Sequence, residues 1–266
     1  MQTNLISDSS NHPEVKILWT GGWDSTFRLL DLVLVHRVPV QPYYVIDTGR
    51  PSSLQEIAAI HRIRTSIAEL SEASAALIKP SIIVSIHDIQ KDDDITEKYR
   101  RLKEQANLGE QYDWLARLVK QNKISGVELC IHIDDKAYMF VKDHVEIVRP
   151  QNDQEYWVLK RDEAKSELSI FGFYRFPLLK LSKVEMQEMA LKKGFLHIME
   201  QTWFCFNPKN NKPCGVCKPC KYAIEERMGY RIPPLSRIRY YLYRSVVRPK
   251  LLPGRVIRGF SNKNGV

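Results

Sequence analysis

The chain has 266 residues, of which 44% are hydrophobic, and it carries a formal net charge of +9. This length supports one substantial core, or one core with a small appendage. No uninterrupted apolar run approaches the roughly 18 residues that a membrane-spanning helix needs, so the sequence excludes an integral membrane protein and leaves only peripheral membrane contact.

The positive charge is concentrated at the C-terminal end. Residues 231–266 contain no acidic side chain and nine basic ones, namely Arg231, Arg237, Arg239, Arg244, Arg248, Lys250, Arg255, Arg258 and Lys263. The other 31 basic residues are balanced by 31 acidic residues. The basic character therefore describes a C-terminal arm, and the rest of the chain is formally neutral.

The first half of the chain alternates short apolar runs with helical patterns. Strands are predicted over residues 15–19, 40–46, 81–86 and 127–133, and helical patterns from Phe27 onward and over 53–70, 97–105 and 112–120. Such alternation predicts βαβ units, and therefore an α/β fold with a doubly wound, mainly parallel sheet.

The second half has a less regular pattern. Residues 156–159 and 168–176 are predicted to be extra strands. Ser182 and Glu185 form an S-x-x-E capping box that predicts a helix ending near Gly194. In a parallel sheet, ligands bind beyond the carboxyl ends of the strands, so residues 20–26, 47–50 and 132–135 are where a site is expected.

The loop after the first predicted strand is the first candidate site. It reads Thr20-Gly21-Gly22-Trp23-Asp24-Ser25-Thr26. Backbone N–H groups and the helix dipole converge where a strand turns into a helix, which suits a phosphate group. The glycines allow close approach of the anion, the hydroxyls add donors, and Asp24 is a candidate ligand for Mg²⁺. A tight strand-to-helix connection is the structural alternative.

Four cysteines near the C-terminus form the second candidate site: Cys205, Cys214, Cys217 and Cys220. Their spacing lets one metal ion gather four thiolates, and four protein ligands leave no open position, which predicts a structural zinc site. An iron–sulfur cluster and a pair of disulfides are the alternatives. The absence of a recognisable secretory signal favours a reducing, cytoplasmic location. Cys130 lies in a separate apolar run and is expected to be a buried core residue.

These motifs resemble a known family. The T-G-G-x-D-S loop is similar to the S-G-G-x-D-S loop of the N-type ATP pyrophosphatases, also called PP-loop proteins, with Thr20 in place of the usual serine. The segment 176–185, then Thr202-Trp203-Phe204-Cys205 and the remaining cysteines, resembles the 7-cyano-7-deazaguanine synthase family. In that family, P-L-x-x-x-[ST]-K-x-E, T-W-x-C and C-G-x-C-x-x-C occur in this order.

The resemblance implies an adenine nucleotide alpha hydrolase-like fold and an ATP-dependent ligase. Such an enzyme adenylates 7-carboxy-7-deazaguanine and converts it with ammonia to the amide and then to the nitrile, as in queuosine biosynthesis. Asp24, Ser25 and Lys183 would act in catalysis, although Lys183 is equally well explained as a solvated residue at a helix start. ATP would be bound by Leu18, Trp19, Thr20, Gly21, Gly22, Trp23, Asp24, Ser25, Thr26 and Phe27.

The middle of the chain departs from the family pattern. Asp47-Thr48-Gly49-Arg50 stands where the family has D-Y-G-Q-[RH], and His132-Ile133-Asp134-Asp135 stands where it has a Y-P-D-C-R-like segment. Three residues of this chain remain as candidates for contact with the substrate, namely Asp47, Arg50 and Asp134. A carboxylate at Asp134 suits a guanine-like N1–H and 2-amino group, and a solvated loop is the alternative.

The basic arm is compatible with several kinds of binding partner. Residues 237–244 interleave arginines with three tyrosines, a pattern that suits RNA, an anionic protein surface or an anionic membrane. Relatives of the family occur in anti-phage and nucleic-acid-modifying gene sets. A second hypothesis is therefore transfer of an activated deazaguanine acyl group to a protein or nucleic-acid amine.

The predicted organisation has three parts: an ATP-binding domain over residues 1–195, a zinc segment over 196–229 and a basic arm over 230–266. The family resemblance also implies a homodimer. Two further hypotheses are transfer of sulfur to tRNA, which Cys130 serves poorly because of its apolar setting, and a nucleic-acid-binding module without enzymatic activity.

Overall fold

The computed structural model describes residues 13–150, 155–226 and 228–247. The chain divides into two compact units, the first ending at Phe204 and the second beginning at Cys205. Five of the nine basic residues of the arm, Arg248, Lys250, Arg255, Arg258 and Lys263, lie outside the described residues.

A five-stranded sheet forms the centre of the first unit. Its strands are β1 (Val15–Leu18), β2 (Val40–Ile46), β3 (Ile82–Ser85), β4 (Val127–Glu128) and β7 (Tyr174–Arg175). They lie in the order β3-β2-β1-β4-β7, and every neighbouring pair is parallel. The expected α/β fold with a doubly wound parallel sheet is confirmed. The order reverses between β1 and β4, and such a switch point is where open α/β sheets bind ligands.

Helices connect these strands. They are α1 (Trp23–Leu30), which continues as a π-helical turn to Val35, α2 (Ser53–Leu70), α3 (Glu72–Ala76), α4 (Asp93–Gln105), α5 (Gln111–Gln121), α6 (Tyr138–Val141), α7 (Lys183–Lys192) and α8 (Leu196–Met199). The prediction for α2 is confirmed at both ends. The capping box is also confirmed, because the Ser182 hydroxyl accepts from the Glu185 N–H while the Glu185 carboxylate accepts from the Ser182 N–H.

Two predicted strands were wrong in extent or type. The strand expected over 127–133 ends at Glu128, because the Ile131 N–H donates to the Leu129 carbonyl in a tight turn and the Ile133 N–H donates to the Leu181 carbonyl. Residues 167–171 of the expected strand 168–176 form a 3₁₀ helix, begun by the Ser166 hydroxyl, which accepts from the Leu168 N–H. Only Tyr174 and Arg175 of that segment are strand.

The predicted strand over 156–159 is confirmed, but it lies outside the main sheet. It is β6 (Tyr156–Leu159), and it pairs antiparallel with β5 (Val145–Val148). This hairpin is joined to the main sheet by an antiparallel bridge between Trp157 and Phe176.

The second unit contains α9 (Lys218–Glu225) and α10 (Pro234–Val247), with a 3₁₀ turn at Gly229–Arg231 between them. The four cysteines precede or enter α9. Among the described residues, no helix is long and apolar enough to cross a membrane.

Candidate functional site

The loop between β1 and α1 is held by buried contacts. Trp19 is fully buried, and its indole Nε1 donates to the Thr26 hydroxyl at 3.0 Å. Thr26 is itself fully buried, so its side chain anchors the loop to the protein interior. Phe27 packs in the core against Phe195, with ring centroids 6.0 Å apart. Of the predicted ATP-loop residues, these three support the loop from inside the protein.

Gly21 occupies a position that other residues tolerate poorly. Its φ is +71°, in the left-handed region that favours glycine. A Cβ at this position would lie 3.2 Å from the Glu56 carbonyl oxygen and 3.2 Å from Cγ1 of Ile60. Gly21 therefore lets the loop turn tightly while lying directly against α2.

Gly22 is the N-cap of α1, and no side chain caps the helix from that position. The first N–H groups of an α-helix have no partner within the helix, so they point outward and attract an anion. The predicted donors therefore lie where the sheet order reverses.

A histidine lies beside the acidic residue of this loop. His132 is 3% exposed, and its Nε2 lies 3.4 Å from Oδ1 of Asp24. On its other side, its Nδ1 accepts a hydrogen bond from the Asp134 N–H at 3.2 Å and lies 3.7 Å from the Asp134 carboxylate. The residues after β4 therefore contact the residues after β1, as expected for neighbouring parallel strands.

This contact sets the charge of Asp24. Burial raises the pKa of the carboxyl, but the charge and hydrogen bond of His132, with the charge of Lys183, outweigh burial and hold the pKa at about 2. Burial lowers the pKa of His132, whereas Asp24 raises it, and the net shift is upward. The Asp24 side chain remains 30% exposed. Asp24 is thus an ionised carboxylate that solvent and a ligand can reach.

Lys183 begins α7 close to this cluster. Its backbone N–H donates to Oδ2 of Asp134 at 2.9 Å, so that carboxylate helps to cap α7. Its ammonium is near enough to lower the pKa of Asp24. The structure thus brings together three predicted site residues, Asp24, Asp134 and Lys183. His132 completes the cluster, although it was not among the predicted site residues.

A buried ion pair lies near the same cluster. Arg28 Nε and Nη2 donate to the two carboxylate oxygens of Glu128 at 2.8 and 2.7 Å. Arg28 is 6% exposed and Glu128 is 2% exposed. The pair joins α1 to the end of β4, which fixes the two elements that carry Asp24 and His132.

Cys130 follows this pair and is half-buried. Burial, followed by the charge of Glu128, raises the pKa of its thiol well above the usual range. The raised pKa predicts a slowly reacting thiol. The expectation of a buried core residue is wrong, because Cys130 is half-buried and lies past the end of β4.

The loop after β2 is organised around a buried carboxylate. Arg50 Nη2 lies 3.2 Å from Oε1 of Glu56, which also accepts from the Ser52 hydroxyl, while Tyr44 donates to its other oxygen. Asp47 accepts from the Gly49 N–H at 3.0 Å. The two predicted substrate residues of this loop, Asp47 and Arg50, therefore engage the protein itself.

The last residues of the first unit return to the loop after β1. The Trp203 N–H donates to the Gly21 carbonyl at 2.9 Å. Thr202 is held by its own hydroxyl, which donates to the Met199 carbonyl at 2.7 Å. The T-W element of the C-terminal motif and the glycine loop, 182 residues apart in numbering from Gly21 to Trp203, are thus in direct contact.

The four cysteines come together in the second unit. Their Sγ atoms all lie within 4.8 Å of one another. The separation is 3.7 Å between Cys205 and Cys217 and 4.0 Å between Cys214 and Cys220. Four thiolates at the usual Zn–S distance around one tetrahedral ion stand about 3.8 Å apart. A four-iron cluster holds each thiolate on a different iron and therefore needs wider spacing.

Backbone donors surround these sulfurs. The N–H groups of Val216 and Cys217 point at Sγ of Cys214 at 3.4 and 3.3 Å, and the Cys214 N–H points at Sγ of Cys205 at 3.3 Å. Such N–H groups stabilise thiolate charge and orient metal ligands. The cysteines therefore form a cluster that fits a single tetrahedral ion, and the expected C-terminal zinc-binding segment is consistent with this fit.

The described part of the chain combines a parallel sheet, whose switch point lies beside a T-G-G-x-D-S loop, with a C-terminal four-cysteine segment. Residues 162–228 match the family described as queuosine biosynthesis protein QueC. This match covers 67 of the 266 residues, so it shows that the C-terminal part of the chain is similar to that family.

Similar solved structures include the U34-tRNA thiolase NcsA from Methanococcus maripaludis, which has a [4Fe-4S] cluster. It is 14% identical with a TM-score of 0.41, and the alignment covers 95% of this chain and 78% of that one. A 4-thiouridine synthetase, in complex with RNA and with bound ATP, is 13% identical with a TM-score of 0.36, covering 86% of this chain and 53% of that one. No curated protein is significantly similar to the chain.

Proposed function

We propose that the chain is an ATP-dependent carboxylate-activating ligase that adenylates 7-carboxy-7-deazaguanine. The observation that carries this proposal is the ionised Asp24 beside His132 and Lys183, at the N-terminus of α1. The C-terminal match to QueC supports the deazaguanine as the substrate class.

The side chains need only position and neutralise charge. The N–H groups at the start of α1 and the Ser25 hydroxyl bind the β- and γ-phosphates, and Gly21 and Gly22 let them approach closely. Asp24 is the residue that would hold Mg²⁺, which neutralises the departing diphosphate. Lys183 adds a positive charge near Asp24.

The proposed reaction has two halves. A carboxylate oxygen of the substrate attacks the α-phosphorus of ATP, the bond from that phosphorus to the bridging oxygen breaks, and diphosphate leaves with the electron pair. Ammonia then attacks the acyl carbon, AMP leaves, and loss of a proton gives the amide. With a second ATP, the amide oxygen is adenylated, and loss of AMP and two protons gives 7-cyano-7-deazaguanine.

A second acceptor is favoured by a specific observation. At the positions where the family binds its base, Arg50 pairs with Glu56, and Asp134 caps α7. Both side chains therefore have partners within the protein, with 33% of Arg50 and 37% of Asp134 still exposed. We propose as the alternative that the activated acyl group passes to a protein or nucleic-acid amine, as in defence or modification systems. In that alternative, the basic arm 231–266 meets the anionic macromolecule instead of the lipid surface proposed below.

One experiment separates these functions. The chain is incubated with Mg²⁺, ATP, 7-carboxy-7-deazaguanine and ammonium, and the products are identified by mass spectrometry. Nitrile supports the ligase, whereas adenylate or amide without nitrile supports the alternative acceptor. Asp24→Ala should abolish AMP formation, and Asp143→Ala, at a side chain that is 76% exposed, should leave it unchanged. Equal rates in Asp24→Ala and wild type would remove the enzyme hypothesis.

We also propose that the cysteine cluster holds Zn²⁺ in a structural role, supported by the sulfur separations above. Elemental analysis should find one zinc and no iron per chain, and Cys217→Ser should lower that content. We propose a homodimer because the family resemblance implies one. We also propose a cytoplasmic location, because thiols stay reduced there. Light scattering of the purified chain checks the dimer.

A further inference from the structure

Helix α10 has an exposed apolar stripe. Leu235, Ile238 and Leu242 are 72%, 53% and 61% exposed. Their spacing of three and then four residues places them on one side of the helix. Tyr240, on a different side, is 3% exposed and packs inside the second unit. Aliphatic side chains aligned and exposed in this way mark a contact surface more often than a solvated face.

Arginines flank the stripe. Arg239 follows Ile238 and lies beside the stripe on one side, and Arg237 lies further round the helix on the other. Arg244 is not a flanking residue, because its Nη1 donates to the hydroxyl of the buried Tyr240 at 3.2 Å. The helix contains no acidic residue, and neither does the rest of the chain from residue 231 onward. The surface therefore combines protruding aliphatic groups with positive charge on both sides.

The other side of α10 is firmly attached to the metal segment. A Cβ at Gly215 would lie 1.9 Å from the Ser236 carbonyl oxygen, so the cysteine loop lies directly against the first turn of α10. The Tyr240 hydroxyl donates to Glu225 at 3.2 Å, and Lys221 Nζ lies 3.9 Å from the ring centroid of Tyr243. The helix is thus fixed through its buried side while its aliphatic stripe faces outward.

We propose that α10 binds the surface of an anionic lipid bilayer. Leu235, Ile238 and Leu242 enter the boundary between head groups and acyl chains, and the flanking arginines lie at the level of the lipid phosphates. This proposal goes beyond the ligase function and does not depend on it.

The aliphatic stripe is what favours lipid over other anionic partners. Nucleic acid offers phosphates and stacking surfaces, which suit the exposed Tyr241 and Tyr243, but the three exposed aliphatic side chains gain little there. An acidic protein would need a groove shaped to three particular residues. A bilayer accepts apolar side chains at any spacing and supplies negative charge over its whole area, which matches an arm with nine basic and no acidic residues.

Cosedimentation of the full chain with lipid vesicles tests this proposal. We expect the wild type to bind vesicles of phosphatidylcholine with added phosphatidylserine, to bind pure phosphatidylcholine weakly, and to be released by high salt. Leu235→Ser combined with Leu242→Ser should lower binding about tenfold, because the aliphatic area no longer enters the bilayer. Arg237→Gln combined with Arg239→Gln should lower it by a similar factor.

Leu191→Ser is the matched control, because Leu191 lies on α7 in the first unit and is 67% exposed. It should bind vesicles like the wild type. Zinc content and AMP formation, measured on each variant, show whether the variant has folded. If the wild type forms no AMP but still binds anionic vesicles, the proposed ligase function is overturned and the lipid proposal stands.

Two results would overturn the lipid proposal. One is wild-type protein that stays in solution with both kinds of vesicle. The other is retention by mixed-sequence RNA or polyglutamate at salt concentrations where anionic vesicles do not bind, with no effect of the leucine substitutions. The wild-type measurement decides the proposal by itself, so it does not depend on any variant folding.

Discussion

His132 Nε2 lies 3.4 Å from Oδ1 of Asp24, and this contact joins the loop after β4 to the loop after β1. The histidine is almost fully buried, whereas the carboxylate is accessible. His132 is therefore a positioning residue: it holds the side chain that we propose as the metal-binding carboxylate, and need not touch ATP itself.

Replacing His132 tests this role. His132→Asn removes the ring nitrogen that faces Asp24, and we expect kcat for AMP formation to fall about tenfold to a hundredfold, as for residues that orient metal ligands. The KM for the deazaguanine should change much less than kcat. His87→Asn, at an exposed histidine, is the control. Wild-type kcat in His132→Asn would show that Asp24 is oriented without it.

Two glycines with positive φ allow the cost of backbone strain to be measured separately from the cost of steric crowding. Gly194 has φ +81°, and a Cβ added there would meet nothing within 4 Å, whereas Gly21 has φ +71° and three neighbours within 3.3 Å of such a Cβ. Gly194→Ala should destabilise the protein by about 1 kcal/mol through backbone strain. In Gly21→Ala the free energy of unfolding should fall by roughly 1–3 kcal/mol more than in Gly194→Ala, because α2 must shift. Thermal unfolding measures both, and equal losses would mean that α2 gives way freely.

The buried pair of Arg28 and Glu128 makes a prediction about stability. Arg28→Met leaves a buried carboxylate unpaired, and we expect a loss of roughly 3–5 kcal/mol in the free energy of unfolding. Arg28→Met combined with Glu128→Leu should recover most of that loss, because neither charge remains buried. Urea unfolding of the two single variants and the double variant checks the coupling. Additive losses would contradict it.

Cys130 should be slow to alkylate. Its raised pKa leaves little thiolate at pH 8, and each unit of increase lowers the thiolate fraction tenfold. We expect native protein to react with iodoacetamide at Cys130 at least about tenfold more slowly than a cysteine in a short unstructured peptide. The rate should become equal to that of the peptide thiol in denaturant. Peptide mass spectrometry assigns the site, and rapid native labelling at Cys130 would contradict the shift.

Local patterns predicted the features that depend on neighbouring residues. The bounds of α2, the capping box at Ser182 and the glycine loop all follow from residues a few positions apart. The cysteine cluster also follows from spacing, because Cys214, Cys217 and Cys220 lie three residues apart.

Features that depend on distant residues could not be read from the sequence. The segment expected to extend β4 leaves the sheet, and its Ile133 N–H donates to the Leu181 carbonyl, 48 positions away in numbering. The apolar residues around Ile170 alternate like a strand, but Ser166 starts a 3₁₀ turn instead. His132 belonged to a segment where a site was expected, yet only the fold shows that its ring, and not just Asp134, faces Asp24.

The close approach of Gly215 to Ser236 makes the cysteine loop and α10 mechanically dependent on each other. Chelation or thiol oxidation that loosens the loop would therefore also release the helix, while the parallel sheet has its own core in the first unit.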